Sequence, residues 1–408
     1  MMGRMGRAVL MIALAWTLAQ PQRADVKALI QNDQDRFVRE LVTLTEIPAP
    51  PFKETARAAA FADLLRQSGR SNVEIDPEGN VLALRKGAGK GLLVVNAHLD
   101  TVFPEGTNVK VKREGTRLSA PGVGDDTRGL ALVLSLVRTM DKARIQTGAD
   151  ILFVGNVGEE GEGDLRGIKY LLGKGKYQGK VTQLIAIDGG DVNGVANGGV
   201  GSKRYRVTFT GPGGHSYGAF GLVNPAFAMG DAIVRFARLQ VPATPKTTFN
   251  VGVVSGGTSV NAIPSQVSMD VDMRSESCAE LQKLDGSFLA QVRDAVAAEN
   301  KARSTREGAI KADPRVIGER PCGETPPASP LVKSTDAVIR SFGLTPSHTI
   351  SSTDANVPMS LGIPAITIGR GGPGGRQHAP DEWTDVDPAR NVDNEQIVLA
   401  IILAAAGV

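Results

Sequence analysis

Three short apolar runs, Leu92–Val95, Ile151–Val154 and Leu184–Ile187, each stop at a polar or glycine-rich segment, and Ala365–Ile368 reads as a further strand before a glycine-rich stretch. Apolar runs of this length without alternation read as strands buried on both faces. The spacing predicts helices between or around them, over 25–45, 54–67, 130–140 and 393–406. Strand, acidic end and helix in repetition predict a doubly wound, mostly parallel α/β sheet. Ligands bind such a sheet beyond the carboxyl ends of its strands. The first run ends in Asn96-Ala97-His98-Leu99-Asp100. Residues two apart on a strand share a face, so His98 and Asp100 leave the sheet together. A carboxylate that fixes an imidazole tautomer is a common companion of a metal-ligating His. The plainer reading is a polar strand end.

The texture changes near Ser202. Tyr205, Val207 and Phe209 alternate with Arg206 and Thr208, as in a strand with one wet face. A helix over 224–239, strands over 248–254 and 267–274, and a long helix over 280–299 follow. This predicts an α+β domain inserted into the first, over 202–316, with the catalytic domain split into 25–201 and 317–408.

Residues 1–24 read as a signal peptide. Arg4 and Arg7 precede the apolar run Ala8–Ala19, which is short for a bilayer span. Cleavage is expected at Ala19 or Ala24, giving an exported, periplasmic or secreted protein with no stable membrane anchor. Cutting at Ala19 removes two Arg from a formal charge of +3, leaving +1. With aromatics at 4%, this gives no case for a nucleic-acid partner. Cys278 and Cys322 are too few for a cysteine zinc site, and the sequence allows a disulfide or two free thiols.

Three more motifs sit where the predicted strands and helices meet. Gly124-Asp125-Asp126 opens the helix at Leu130, and the two Asp would serve either as helix caps or as ligands. Glu159-Glu160 follows the second strand. Adjacent carboxylates repel and call for a cation or a proton, unless the loop is simply solvated. Asp188-Gly189-Gly190 ends the third strand. Of the four His, His98, His215 and His378 lie in strand-end or glycine-rich motifs, and His348 reads as surface.

Taken with Gly214-His215-Ser216, Asn261-Ala262-Ile263-Pro264 and His378-Ala379-Pro380-Asp381-Glu382, this set resembles the M20 metallopeptidases. These are di-zinc exopeptidases and deacylases that include peptidase T and glutamate carboxypeptidase. The resemblance runs in order over about residues 25–408. It implies that His98 and Asp188 hold one metal, Glu160 and His378 the other, and that Asp125 bridges them. Asp100 would orient His98, and Glu159 would be the general base and acid. His215 would polarise the substrate carbonyl across a homodimer interface. Asn261 and Arg274 would touch substrate from the inserted domain. Thr127-Arg128 departs from many relatives, which implies tuning only.

The residue types fit this chemistry. Carboxylates and imidazoles suit two divalent ions, zinc first, with manganese or cobalt as alternatives. Two ions about 3.5–4 Å apart lower the pKa of a bridging water and stabilise an oxyanion. A carboxylate outside the ligand set then moves the proton to the leaving amine. The expected function is a dinuclear metal-dependent exopeptidase acting on short peptides, most like a tripeptide aminopeptidase or dipeptidase. The alternatives are an N-acyl amino acid deacylase or carboxypeptidase of the same fold, and a peptide-binding protein without catalysis. Glu159 argues against the last, since binding alone has little use for a base.

Overall fold

The structure, a computed structural model, describes residues 20–408. Most of the expected signal peptide, residues 1–19, lies outside them. Among the described residues no helix is long and apolar enough to cross a membrane. The chain forms two compact units, one from the segments up to Gly199 and from Glu324 on, the other Val200–Gly323.

The first unit is built on a nine-stranded sheet. Leu92–His98 lies between Asp150–Asn156 and Gln183–Gly189 and is parallel to both. Ala365–Gly369 extends the parallel set beyond Gln183–Gly189. The chain therefore runs to one side of Leu92–His98 through the helix Thr127–Lys142, then to the other through Arg166–Gly173. That reversal makes the end of Leu92–His98 the switch point, where a crevice opens. Antiparallel strands flank the parallel set at Val81–Arg85 and Gly194–Gly199.

The unbroken apolar runs follow from burial on both faces. Leu93, Val95, Ala97, Ile151, Phe153, Ile185 and Ile187 join one core with Gln20–Thr45, Thr127–Lys142 and the C-terminal helix Pro388–Ala405. Leu92, Val94, Leu152, Val154, Leu184 and Ala186 face the opposite core, under Arg166–Gly173 and Asn356–Ser360.

The second unit is a four-stranded antiparallel sheet ordered Thr247–Gly256, Gln266–Ser275, Gly201–Thr210, Lys311–Arg320. Tyr205, Val207 and Phe209 share a core with Val267, Met269, Val271 and Met273 and with the helices Pro225–Ala237 and Cys278–Ala302. Here the alternation in sequence matches a sheet covered on one face. The expected return to the first domain at 317 is corrected to Glu324, because Lys311–Arg320 is a strand of this sheet. Its mostly exposed side chains carry no apolar alternation, so no strand was expected there. Cys278 and Cys322 form a disulfide that ties the start of the long helix to the end of that strand.

Candidate functional site

The carboxyl ends of the parallel strands carry the expected ligands. His98 closes its strand, Glu159 and Glu160 follow Asp150–Asn156, and Asp188 is the penultimate residue of Gln183–Gly189. Asp125 arrives on the loop before Thr127–Lys142. Ligand atoms of His98, Asp125 and Glu160 lie within 4.8 Å of one another, as do those of His98, Asp126 and Asp188. This hard oxygen and imidazole set fits divalent ions.

Asp125 faces both ways. Its Oδ1 lies 3.0 Å from His98 Nε2, and its Oδ2 lies 3.4 Å from His378 Nε2. His98 Nε2 is also 3.7 Å from Asp188 Oδ1, and His378 Nε2 is 2.9 Å from Glu160 Oε1. The five expected metal residues thus form two halves joined by one carboxylate. His378 holds its place at φ 64, a left-handed conformation that a non-glycine residue adopts at a cost. The Asp125–Asp126 peptide is cis.

The reading of Asp125 and Asp126 as helix caps fails. Asp126, at the cap position, makes no side-chain cap bond; its Oδ2 instead accepts the backbone N–H of His98 at 3.0 Å. Gly129 is required there, since a Cβ would fall 2.3 Å from Asp126 Oδ1 and 2.7 Å from the Ile187 carbonyl.

Asp100 is fully buried beneath the site. Its carboxylate accepts the N–H of Glu159 at 2.9 Å and of Glu160 at 2.8 Å, and its Oδ1 lies 3.6 Å from His98 Nδ1. His98 Nδ1 is closer, at 3.0 Å, to the Asp100 carbonyl. Asp100 therefore places three candidate residues, one more service than orienting His98.

Burial by itself would push the His98 pKa down, but Asp100, Asp125 and Asp188 together hold it well above the usual imidazole range. The carboxylates of Asp125 and Glu160 push His378 up to about 10. Burial would raise Asp125, yet Arg370 and the two His keep it well below the usual carboxylate range. In these directions the carboxylates outweigh burial and hold protons on the two imidazoles, protons that a divalent ion would have to displace, since imidazole binds a metal only when neutral.

Several contributors were not anticipated. Glu382 is buried, and its carboxylate accepts N–H bonds from Gly122, Gly124 and Asp125 at 3.0, 2.8 and 2.7 Å, which fixes the loop bearing Asp125. Its place in the His378–Glu382 motif was the only sequence signal. Asp354 accepts the amides of Asn96 at 2.8 Å and Asn156 at 2.7 Å, bracing two strand ends. Arg128 is buried and donates to the carbonyls of Arg370, Gly371 and Asp385 and to Thr384 Oγ1. That corrects its reading as tuning only: it clamps the segment leading to His378.

In the second unit, His215 lies on an exposed two-residue strand paired with Ala262-Ile263. Its Nδ1 accepts backbone N–H groups from Tyr217 and Gly218, both at 3.2 Å. A backbone amide can only donate, so Nδ1 carries no proton and Nε2 presents an N–H outward. Asn261 is adjacent, its carbonyl accepting the N–H of Ser216. Arg274 is not brought to this pair. It sits toward the other end of Gln266–Ser275, opposite Ser202, about 3.3 Å per residue along the strand, with Nε on Asp272 Oδ2 at 2.8 Å.

Such a constellation at a switch point, with hard ligands and a neighbouring carboxylate, defines a hydrolase site of the metallopeptidase kind. The chain belongs to the peptidase family M20/M25/M40, whose model matches residues 94–400. In sequence it is 25% identical over 198 residues to Carboxypeptidase G2 of Pseudomonas sp. (strain RS-16), a match covering 48% of this chain and 47% of that protein. The match thus spans about half the length of that relative. In structure it is similar to aminopeptidase PepT from Bacillus cereus, with TM-score 0.72 and 21% identity, covering 91% of this chain and 99% of the other. It is similar also to YXEP of Bacillus subtilis, described as a dinuclear metal binding peptidase of the M20 family, with TM-score 0.66 and 17% identity, covering 92% and 99%. These structural likenesses establish the fold.

Proposed function

We propose that this protein is a dinuclear metal-dependent exopeptidase of short peptides, exported and acting as a homodimer. The observation that carries the metal centre is the placement of Asp125, with one carboxylate oxygen toward His98 and the other toward His378. His98 and Asp188 would hold one ion, Glu160 and His378 the other, and Asp125 both. Two divalent ions, zinc or else manganese or cobalt, would polarise the scissile carbonyl and acidify water.

The chain's own groups then divide the work. Glu159 is buried beside the ligand Glu160, with its backbone fixed by Asp100. It takes the proton of the attacking water and delivers it to the leaving amine. His215, from the other protomer, offers Nε2–H to the developing oxyanion, and Asn261 next to it contacts substrate. Arg274 would contact substrate apart from that pair. The disulfide supports export, since such bonds persist in oxidising compartments.

Asp188, shorter than a Glu, leaves room for a free α-amine and favours an aminopeptidase or dipeptidase acting on tripeptides or dipeptides. Two observations favour the second reading, a carboxypeptidase or N-acyl amino acid deacylase. One is the sequence match to Carboxypeptidase G2. The other is that Arg370 already pairs with Asp188, which reduces its pull on a substrate ammonium. Rates on a free tripeptide, its N-acetylated form and its C-amidated form separate the two. The first reading expects N-acetylation to abolish kcat/KM. If acetylation leaves it unchanged or raised, the second takes its place.

A further inference from the structure

Arg370 stands directly after the strand Ala365–Gly369, at the same sheet edge as the ligands. It is buried. Its Nη2 lies 2.5 Å from Asp188 Oδ1 and 2.9 Å from Asp125 Oδ1. Its Nε lies 3.1 Å from Asp126 Oδ1. Among the described residues these three carboxylates are its ion-pair partners; Glu160 and His378 are not among them, and the shared Asp125 meets it through Oδ1, the oxygen toward His98. The backbone is held as firmly as the side chain. The Arg370 carbonyl accepts from Arg128 Nε at 3.0 Å, and its N–H donates to the Gly189 carbonyl at 3.3 Å. The guanidinium is thus anchored from both sides of the strand end.

The two oxygens that its Nη2 touches are the ones that face His98 Nε2, at 3.0 Å from Asp125 and 3.7 Å from Asp188. We propose that Arg370 is a resident counter-cation of the metal site. It holds Asp125 and Asp188 together and draws on the oxygens that a divalent ion at His98 would use, so it sets how weakly that ion is bound. This rests on the metal-centre reading above. A guanidinium is always charged, and this one lies within 3 Å of carboxylate oxygens that such an ion would use, so it would repel the ion strongly at low effective dielectric. Three clustered carboxylates without it would also repel one another. The two ions are therefore held unequally, the one at His98 and Asp188 more loosely than the one at Glu160 and His378.

The experiment uses the full chain, stripped of metal. Zinc and manganese are titrated separately against a chromophoric chelator, and the metal-free protein is melted in parallel. Arg370→Gln keeps a donor for Asp188 and removes the charge. Arg370→Lys keeps the charge. Wild type is expected to bind in two steps. Arg370→Gln should tighten the weaker step by about tenfold or more and lower the melting temperature of the metal-free protein. Arg370→Lys should leave the weaker step near wild type. If Arg370→Gln leaves that step unchanged or loosens it, or if Arg370→Lys tightens it equally, the proposal is wrong. A wild-type chain that takes up neither ion would instead remove the metal-centre reading itself.

Discussion

The two units present functional groups in opposite ways. At the parallel strand ends, side chains are buried and braced against each other: Asp100 holds Glu159 and Glu160, Glu382 holds the Asp125 loop, and Asp126 holds His98. In the inserted unit, His215 is exposed on a two-residue strand and Asn261 on the turn beside it, and Arg274 lies well along the sheet from them. A parallel sheet gathers its strand ends at one edge, so residues distant in sequence meet. A one-sided antiparallel sheet spends its order on a core and leaves its loops to meet something else. The first unit is preorganised for charge, and the second leaves these polar groups, His215 and Asn261, exposed.

This contrast is broken most severely at Glu159. Glu159→Gln should keep its metal but lower kcat by roughly 10²-fold or more, because an amide cannot carry the proton. A near-normal kcat would remove Glu159 from the role. Next is the exposed partner. His215→Ala should also cost about 10²-fold in kcat while leaving the melting temperature unchanged, since the ring is exposed. Reassembled mixtures of inactive Glu159→Gln and His215→Ala chains should regain activity through heterodimers, and mixtures that stay inactive would place His215 outside a shared site.

A supporting residue should show the reverse signature. Glu382→Ala leaves three backbone N–H groups near Asp125 without their acceptor. Metal affinity should fall roughly 10- to 100-fold, with a lower melting temperature. Unchanged metal affinity would mean that the Asp125 loop stands without Glu382.

The effect of least consequence for catalysis lies away from the site, in the helix layer of the first unit. Burial pushes the Glu395 carboxyl from 4.5 up to about 7. A raised acid pKa means the folded state holds the proton more tightly than the unfolded one. Glu395 thus favours folding most below about 4.5, and that contribution is lost as pH rises through about 7, by roughly 3 kcal/mol. Glu395→Gln removes the titration. Its melting temperature relative to wild type should rise between pH 5 and pH 8. A constant difference would place a charged Glu395 in the fold at all these pH values.

The sequence made the strand ends legible because burial on both faces leaves unbroken apolar runs, and a polar residue directly after such a run stands out. His98, Glu160 and Asp188 were found that way. Arg370 carries the same signal after Ala365–Gly369, but a guanidinium has no lone pair to offer a metal, so an Arg at a strand end reads as a solvated charge. Glu382 and Asp354 act through backbone and amide donors far away in sequence, and no local pattern encodes such partners. The strand Lys311–Arg320 was missed because an exposed edge strand needs no apolar alternation, and its Pro314 argues against a strand. The pairing of Cys278 with Cys322 depended on where that strand ends.

The central claim is that His98, Asp125, Glu160, Asp188 and His378 hold two divalent ions on which hydrolysis depends. It is tested most directly by metal content and activity together, on the purified chain before and after chelation and after metal is returned. About two ions per chain are expected, with activity on a short peptide lost on chelation and regained on reloading. Full activity in the metal-free protein would contradict it.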